Sequence, residues 1–342
     1  MMDLNKLEKS FNTDIPQTEP TTAYFNVISR CNAGCRYCLD WKNNSNVNTD
    51  VSIQKIEEIL TSLKKLGVIE VAFSGGEPYL RRDILDILRL AKNMGFVVRV
   101  ITNGSAFTDK DMYKTIESGI SKIGISIDSI NATKFELIRG LNLDRVKSNI
   151  EKLVHLREQS HKTLDLSLYV TITKLNIEDL IPLAKYAQML DVKIQYQPVH
   201  FSGTGLEDYI LDNLWPNDQE INNITSVIYE LIAMQKTVNN IGNRPEYLAQ
   251  IPVFFRQKTF YPTNRCYVAY VDVVIDQDLG VRPCWSMFPV GFLTNHSLEE
   301  LWVSEKMREM RSIIRLQQCP GCLYSCHINK KHVSLPPVPL QT

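Results

Sequence analysis

Tyr24-Phe25-Asn26-Val27-Ile28-Ser29-Arg30-Cys31-Asn32-Ala33-Gly34-Cys35-Arg36-Tyr37-Cys38 joins a short apolar run directly to three cysteines. The apolar part is β-rich and reads as a buried strand. The part that follows has the spacing C-x3-C-x2-C, which brings three thiolates into one small volume. Four thiolates close the coordination of a [4Fe–4S] cluster; three leave one iron open to a small molecule. A zinc knuckle is the competing reading. Zinc sites close four ligands from two short pairs, and no fourth Cys or His lies near this loop.

Outward from this loop, strand and helix patterns alternate. Ile69-Glu70-Val71-Ala72-Phe73, Val97-Val98-Arg99-Val100-Ile101, Lys122-Ile123-Gly124-Ile125-Ser126-Ile127, Leu166-Ser167-Leu168-Tyr169-Val170-Thr171 and Val192-Lys193-Ile194-Gln195-Tyr196 are β-rich. Between them, apolar residues recur at helical spacing: Ile53, Ile56, Ile59, Leu60 and Leu63; Ile84, Leu85, Leu88 and Ala91; Val146, Ile150, Leu153 and Val154; Ile177, Leu180, Ile181 and Ala184. Strand followed by helix, repeated, implies right-handed βαβ units and a parallel sheet. Six such units are too few for a closed eight-stranded barrel. The α/β expectation is therefore an open partial (β/α)6 barrel whose open side admits a substrate, spanning 22–205. Residues 1–21, polar with Pro16 and Pro20, read as a flexible N-terminal arm. Residues 206–262 break the alternation and read as a helical linker, with a helix over about 217–236.

From Cys266 the pattern changes. Tyr270-Val271-Asp272-Val273-Val274-Ile275-Asp276 alternates like a strand, Gln277-Asp278-Leu279-Gly280 turns, and Val281-Arg282-Pro283-Cys284 returns. A helix over 298–314 and then Cys319, Cys322 and Cys326 complete a small C-terminal hairpin-helix domain over 263–330. A hairpin with a cysteine near each end, plus a C-x2-C loop, closes four ligands around one site. A zinc ribbon uses two close pairs, and here only one pair is close. The Pro-rich tail, 331–342, is expected to be disordered.

Formal net charge is zero, with both signs interspersed. This argues against a nucleic-acid binder working through a broad basic face. No run has the length of a membrane span, and the start lacks an apolar signal core. A cytoplasmic protein is expected, in which the eight cysteines serve as ligands or reactive thiols rather than disulfides.

The chain resembles the radical S-adenosylmethionine (SAM) enzymes over about residues 22–330. The resemblance rests on the cysteine loop with Tyr37 before its third cysteine, on Ser74-Gly75-Gly76-Glu77-Pro78, on Thr102-Asn103-Gly104, on Ile125-Ser126-Ile127-Asp128-Ser129 and on Arg139-Gly140, in that order. The C-terminal part resembles the SPASM/twitch auxiliary-cluster module, in its one-cluster twitch form. The resemblance implies two [4Fe–4S] clusters, one held by Cys31, Cys35 and Cys38 and an auxiliary one held from among Cys266, Cys284, Cys319, Cys322 and Cys326. One of those five is surplus to a single site. Cys326 stands as a ligand in place of Cys319 or Cys322, as a hydrogen-donating thiol beside the substrate, or as an incidental thiol.

The resemblance further implies that SAM chelates the open iron through its amino and carboxylate groups. Gly75 and Gly76 let backbone approach the amino group, and Glu77 accepts from the amino group or ribose or else serves a helix N-terminus. Arg139 pairs with the SAM carboxylate or forms a salt bridge. Asn103, Ser126 and Asp128 contact ribose and adenine, and Tyr37 lies near the adenine. Thr171, Gln195 and Gln197 are placed to line a substrate cavity, and His200 is a candidate general base or a loop cap. The implied function is reductive cleavage of SAM to a 5′-deoxyadenosyl radical that abstracts hydrogen from a C–H bond, fed by a flavodoxin- or ferredoxin-type electron donor. Dehydrogenation, epimerisation and decarboxylation are the outcomes open to it. Peptide-modifying members often carry an N-terminal leader-binding domain, for which about 22 residues are too few. The expected substrate is therefore a small molecule, sugar or nucleoside of a biosynthetic pathway. The alternatives are a peptide maturase using a separate leader-binding partner and a non-catalytic iron–sulfur scaffold.

Overall fold

A computed structural model describes residues 3–38, 50–160, 162–201, 205–261, 265–325 and 335–337. Its centre is a nine-stranded sheet in the order β6-β5-β4-β3-β2-β1-β7-β8-β9. The strands are β1 Thr22–Asn26, β2 Glu70–Ser74, β3 Val97–Thr102, β4 Lys122–Ser126, β5 Asp165–Ile172, β6 Lys193–Pro198, β7 Asp272–Ile275, β8 Gly280–Arg282 and β9 Gly291–Phe292. Neighbours from β6 through β1 to β7 pair in parallel, and β8 and β9 are antiparallel additions. No pairing among the described residues joins β6 to β9, so the sheet stays open. The expected partial barrel is present.

Helices cover the outside of the barrel. Ile56, Ile59, Leu60 and Leu63 of helix Ile53–Lys65, and Ile84, Ile87, Leu88 and Ala91 of helix Ile84–Asn93, are buried against the strands. Strands covered in this way become almost continuously apolar on the outer face. Val98, Val100 and Thr102 of β3 are buried, whereas Val97, Arg99 and Ile101 are only half-buried. That alternation places Arg99 inside the barrel.

Three expectations need correction. Residues 3–21, the described part of the expected flexible arm over 1–21, are ordered otherwise: Leu4–Thr13 is a helix, capped by the Asp3 side chain. Leu7 and Phe11 are buried with Tyr267, Tyr270 and Val271, and Asp14 binds Arg315 through Nε at 2.9 Å and Nη2 at 2.8 Å. The apolar pair at i, i+4 was too short to stand out from its polar surroundings. Residues 206–262 are not a linker. Ile221, Ile224, Ile228 and Leu231 of helix Asp218–Met234 and Tyr247, Leu248 and Ile251 of helix Pro245–Gln257 belong to the main core. The segment also seals the β6 edge: Ile194 N–H donates to Asn240 O and Gly242 N–H to Ile194 O, each at 2.8 Å, as buried sheet edges require. The single helix expected over 298–314 is two, Leu298–Val303 and Glu305–Arg315. Ser304 is extended between them and caps the second by accepting from Met307 N–H, a side-chain bond that competes with continuing the helix.

The hairpin β7–β8 is present, but it extends the barrel sheet: β7 lies beside β1, with Thr22 opposite Asp272 and Phe25 opposite Ile275. The expected disordered tail lies outside the described residues except for 335–337.

Truncating Phe11 to Ala should destabilise the docked N-terminal helix by about 3 kcal/mol, the usual cost of removing a buried phenyl ring. Hydrogen exchange should show residues 4–13 losing protection first. Unchanged protection would mean that the helix is not held by this contact.

Candidate active site

The cysteine loop is clamped from two sides by backbone. On one side Gly76 N–H donates to Ile28 O and Glu77 N–H to Arg30 O, each at 2.8 Å. A Cβ on Gly75 would lie 2.3 Å from Ile28 O, and one on Gly76 2.1 Å from Arg30 O. The glycines are thus needed for the chain's own close approach. On the other side Gly34 N–H donates to Arg139 O at 2.8 Å and Arg36 N–H to Ile138 O at 2.9 Å. Gly140 ends helix Ala132–Arg139 in the left-handed region at φ 65°.

Side chains lock the same loop. Asn103 Nδ2 donates to Asn32 Oδ1 at 2.9 Å and reaches Cys31 Sγ at 3.8 Å. Arg139 Nη1 lies 3.6 Å from Cys35 Sγ, and its Nε donates to Asp128 Oδ2 at 2.7 Å. Asp128 is fully buried. It also accepts from Tyr37 OH at 2.6 Å and from Thr171 N–H at 2.8 Å. Burial pushes the Tyr37 phenol well up, so it stays a protonated donor to Asp128.

Several assigned roles change. Arg139 is neither a surface salt bridge nor simply a carboxylate clamp: its pair with Asp128 is buried. Glu77 is fully enclosed. Its Oε1 accepts from Tyr79 N–H at 3.0 Å and Thr102 Oγ1 at 2.7 Å, and its Oε2 from Asn103 N–H at 2.7 Å. It ties β2 to β3, in keeping with the helix-terminus alternative. His200 is not placed as a base. Its Nε2 accepts from Leu323 N–H at 3.0 Å, its ring stacks on Tyr324 with centroids 3.8 Å apart, and burial depresses its pKa to about 3. Cys326 lies outside the described residues.

Cys266, Cys284, Cys319 and Cys322 all line one small cavity of about 40 Å³, together with Tyr24, Trp285 and Tyr324. Gly321, at φ +75°, lets this loop hook onto Phe260, whose carbonyl accepts from Cys322 N–H at 2.9 Å. Tyr24, Trp285 and Tyr324 also face a second, larger cavity of about 210 Å³ inside the barrel. Thr171, Gln195 and Gln197 line it, where the sequence reading put them, and Ser126, assigned there to SAM contacts, lines it too. Tyr24 and Trp285 meet edge to face, ring centroids 5.7 Å apart. The aromatic wall and Arg99 were missed. Trp285 directly follows Cys284 and Tyr24 occupies an inward position of β1, which were the available signals.

The donor sets fit iron–sulfur clusters. Burial pushes the Cys35 thiol up to about 11, against the pull of Arg139, and raises Cys319 and Cys322 as well. Thiolates in such pockets need a metal cation to persist. Among the described residues no three His, Cys, Asp or Glu side chains converge on one metal ion.

A family model described as the radical SAM superfamily matches residues 25–187, and one described as an iron–sulfur cluster-binding domain, SPASM, matches residues 266–326. The chain carries a radical SAM domain and a SPASM domain. SAM, a [4Fe–4S] cluster and an auxiliary iron–sulfur cluster are its cofactors, and it is an enzyme. It is 30% identical, over 48% of its length and 61% of the other's, to an S-adenosylmethionine-dependent nucleotide dehydratase of Selenomonas ruminantium. It is 25% identical, over 87% and 85%, to a tungsten-containing aldehyde ferredoxin oxidoreductase cofactor-modifying protein of Pyrococcus furiosus. The first curated relatives are spanned over less than two thirds of their length. The crystal structure of Streptococcus suis SuiB bound to precursor peptide SuiA shares the fold, with a TM-score of 0.69 and 15% identity over 90% of this chain and 70% of that one. No helix among the described residues is long and apolar enough to cross a membrane.

Arg139→Ala should leave the Asp128 carboxylate buried and unpaired, costing about 3–5 kcal/mol. Chemical denaturation should show that loss, with part of it restored in the Asp128→Asn, Arg139→Ala double variant. An unchanged midpoint would mean that the pair does not hold the site.

Proposed function

We propose that this enzyme oxidises its substrate, removing hydrogen from a C–H bond of a molecule held in the barrel cavity. One observation carries the reading: Tyr24, Trp285 and Tyr324 form a wall common to the barrel cavity and the four-cysteine cavity. A substrate in the first cavity is thereby separated from the auxiliary cluster by a single layer of aromatic rings. When bound, SAM and the first cluster supply a 5′-deoxyadenosyl radical, and the auxiliary cluster supplies a place for the second electron.

The chain's own residues hold and enclose these groups. Cys31, Cys35 and Cys38 hold the first cluster. The amino end of SAM meets the turn at Gly75 and Gly76, and the ribose and adenine lie along Asn103, Ser126 and Tyr37. Arg139, kept charged by Asp128, offers its remaining N–H groups to the SAM carboxylate. Cys266, Cys284, Cys319 and Cys322 hold the auxiliary cluster. The barrel cavity, about 210 Å³, has room for a compact group only, which supports a small molecule of a biosynthetic pathway as the substrate. Electrons come from a flavodoxin- or ferredoxin-type donor. A peptide side chain entering the same cavity is the second reading, supported by the precursor peptide in the SuiB structure of the same fold.

Anaerobic reconstitution should load about eight irons per chain, of which about half remain when Cys31, Cys35 and Cys38 are replaced by Ala. Dithionite and SAM should then yield 5′-deoxyadenosine. Incubation with a metabolite extract should give a product lacking two hydrogens, and Cys284→Ala should abolish that product while 5′-deoxyadenosine is still released. A product isomeric with its substrate, or one made equally well by Cys284→Ala, would overturn the oxidative reading.

A further inference from the structure

We infer that helix Leu4–Thr13, with Asp14 at its end, is a clasp for the auxiliary cluster, and that Glu8, Phe11 and Asp14 are positioning residues for Cys266 and Cys319. The inference rests on the reading of Cys266, Cys284, Cys319 and Cys322 as the auxiliary ligands, and it holds whichever reaction the enzyme performs. Residues 4–14 lie outside both matched family models, which cover 25–187 and 266–326. The helix nevertheless reaches the rest of the chain at points flanking two of those cysteines. Glu8 Oε1 accepts from Tyr267 OH at 2.7 Å and pairs with Arg265, so one carboxylate takes both sequence neighbours of Cys266. Asp14 Oδ1 accepts from Tyr270 OH at 3.2 Å, and the same carboxylate holds Arg315, which closes helix Glu305–Arg315 just before Cys319.

One short helix, Val268–Val271, lies between the clasp and the cysteines. On one side Tyr267, Tyr270 and Val271 pack on Leu7 and Phe11. The Phe11 ring meets those of Tyr267 and Tyr270 edge-on, with centroids 5.4 and 6.4 Å apart. Residues three and four apart share a helix face, which leaves the intervening pair for the other side. That pair, Val268 and Ala269, joins Met287 and Ile314 in a cluster against which Cys266, Cys284 and Cys319 pack. Arg311 binds the layers together. Its Nε donates to Ala269 O at 3.1 Å, and its guanidinium lies over the Tyr270 ring at 5.4 Å and the Trp302 ring at 4.6 Å. Undocking the N-terminal helix would bare Tyr270 and Val271, both fully buried, and free the segment that carries Cys266. Docking and cluster retention are therefore coupled, and a coupling free energy acts equally in both directions.

Anaerobic challenge of the reconstituted holoprotein with an iron chelator tests the clasp, the two clusters being told apart by replacing one cysteine set at a time. Phe11→Ala should speed release of the auxiliary iron roughly tenfold or more, while the iron held by Cys31, Cys35 and Cys38 and the affinity for SAM stay as in the wild type. Should Phe11→Ala not fold, Arg315→Ala carries the comparison: it should show the same selectivity, with part of the loss recovered in Arg315→Lys. By reciprocity, Cys284→Ala should lower the hydrogen-exchange protection of residues 4–13, whereas joint replacement of Cys31, Cys35 and Cys38 by Ala should not. Auxiliary iron released at the wild-type rate, both clusters lost in parallel, or unchanged protection in Cys284→Ala overturns the clasp. The ligand reading has its own check: a Cys284→Ala protein that keeps its full iron content overturns that assignment, and the clasp with it.

Discussion

The buried pair between Asp128 and Arg139 is the constraint on which the site depends. Asp128 follows β4, Arg139 ends the helix after it, Thr171 lies on β5 and Tyr37 belongs to the cysteine loop, yet all meet at one carboxylate. Asn176 adds a fourth tie, its Nδ2 donating to Asp128 O at 2.8 Å and to Thr171 O at 3.0 Å. A buried carboxylate is tolerated only when it is paired and hydrogen-bonded. Here those obligations are met by elements that must be in place for the cysteine loop to exist. The same arrangement leaves Arg139 beside Cys35, where its charge favours a thiolate that burial opposes.

The short glycine-containing runs have a common physical purpose. Gly75 and Gly76 admit the backbone at Ile28 and Arg30; Gly140 admits Gly34; Gly321 admits Phe260. Each brings a cysteine loop into main-chain contact with a scaffold element closer than any side chain would allow. That explains why such runs are so legible in the sequence and why their ligand roles are not: the residue type reports a close approach without saying to what. Glu77 is a similar case. Its position at a strand end is consistent with a ligand contact, but its oxygens are taken up by Tyr79, Thr102 and Asn103.

The alternation of strand and helix, the cysteine loops and the inward polar residues of β5 and β6 were readable because period and spacing carry them. The docking of Leu4–Thr13 was not, since it depends on Tyr267 and Tyr270 far away in sequence. Nor was the engagement of residues 206–262 with the β6 edge, or of His200 with Leu323, for a local pattern holds no record of which distant backbone it will satisfy. Arg99 was hidden for a different reason. A charge within an apolar strand run reads as a solvated position, and only the curvature of the sheet turns it toward an enclosed cavity.

The relation between the two cysteine sets is fixed by one strand pairing. β1 runs directly into the first cysteine loop, and β7, which lies beside it in parallel, is preceded by Cys266 and leads through the hairpin toward Cys284. Tyr24 stands opposite Val274 in that register and faces both cavities. Because side chains alternate along a strand, a slip of one residue would turn Tyr24 outward and carry Phe25 into the cavity. Phe25 is instead fully buried in the main core, packed on Phe73. The apolar faces of β1 and β7 therefore hold the pairing in register, and the separation of the two cluster sites follows from core packing, with no contact between the cysteine loops themselves required.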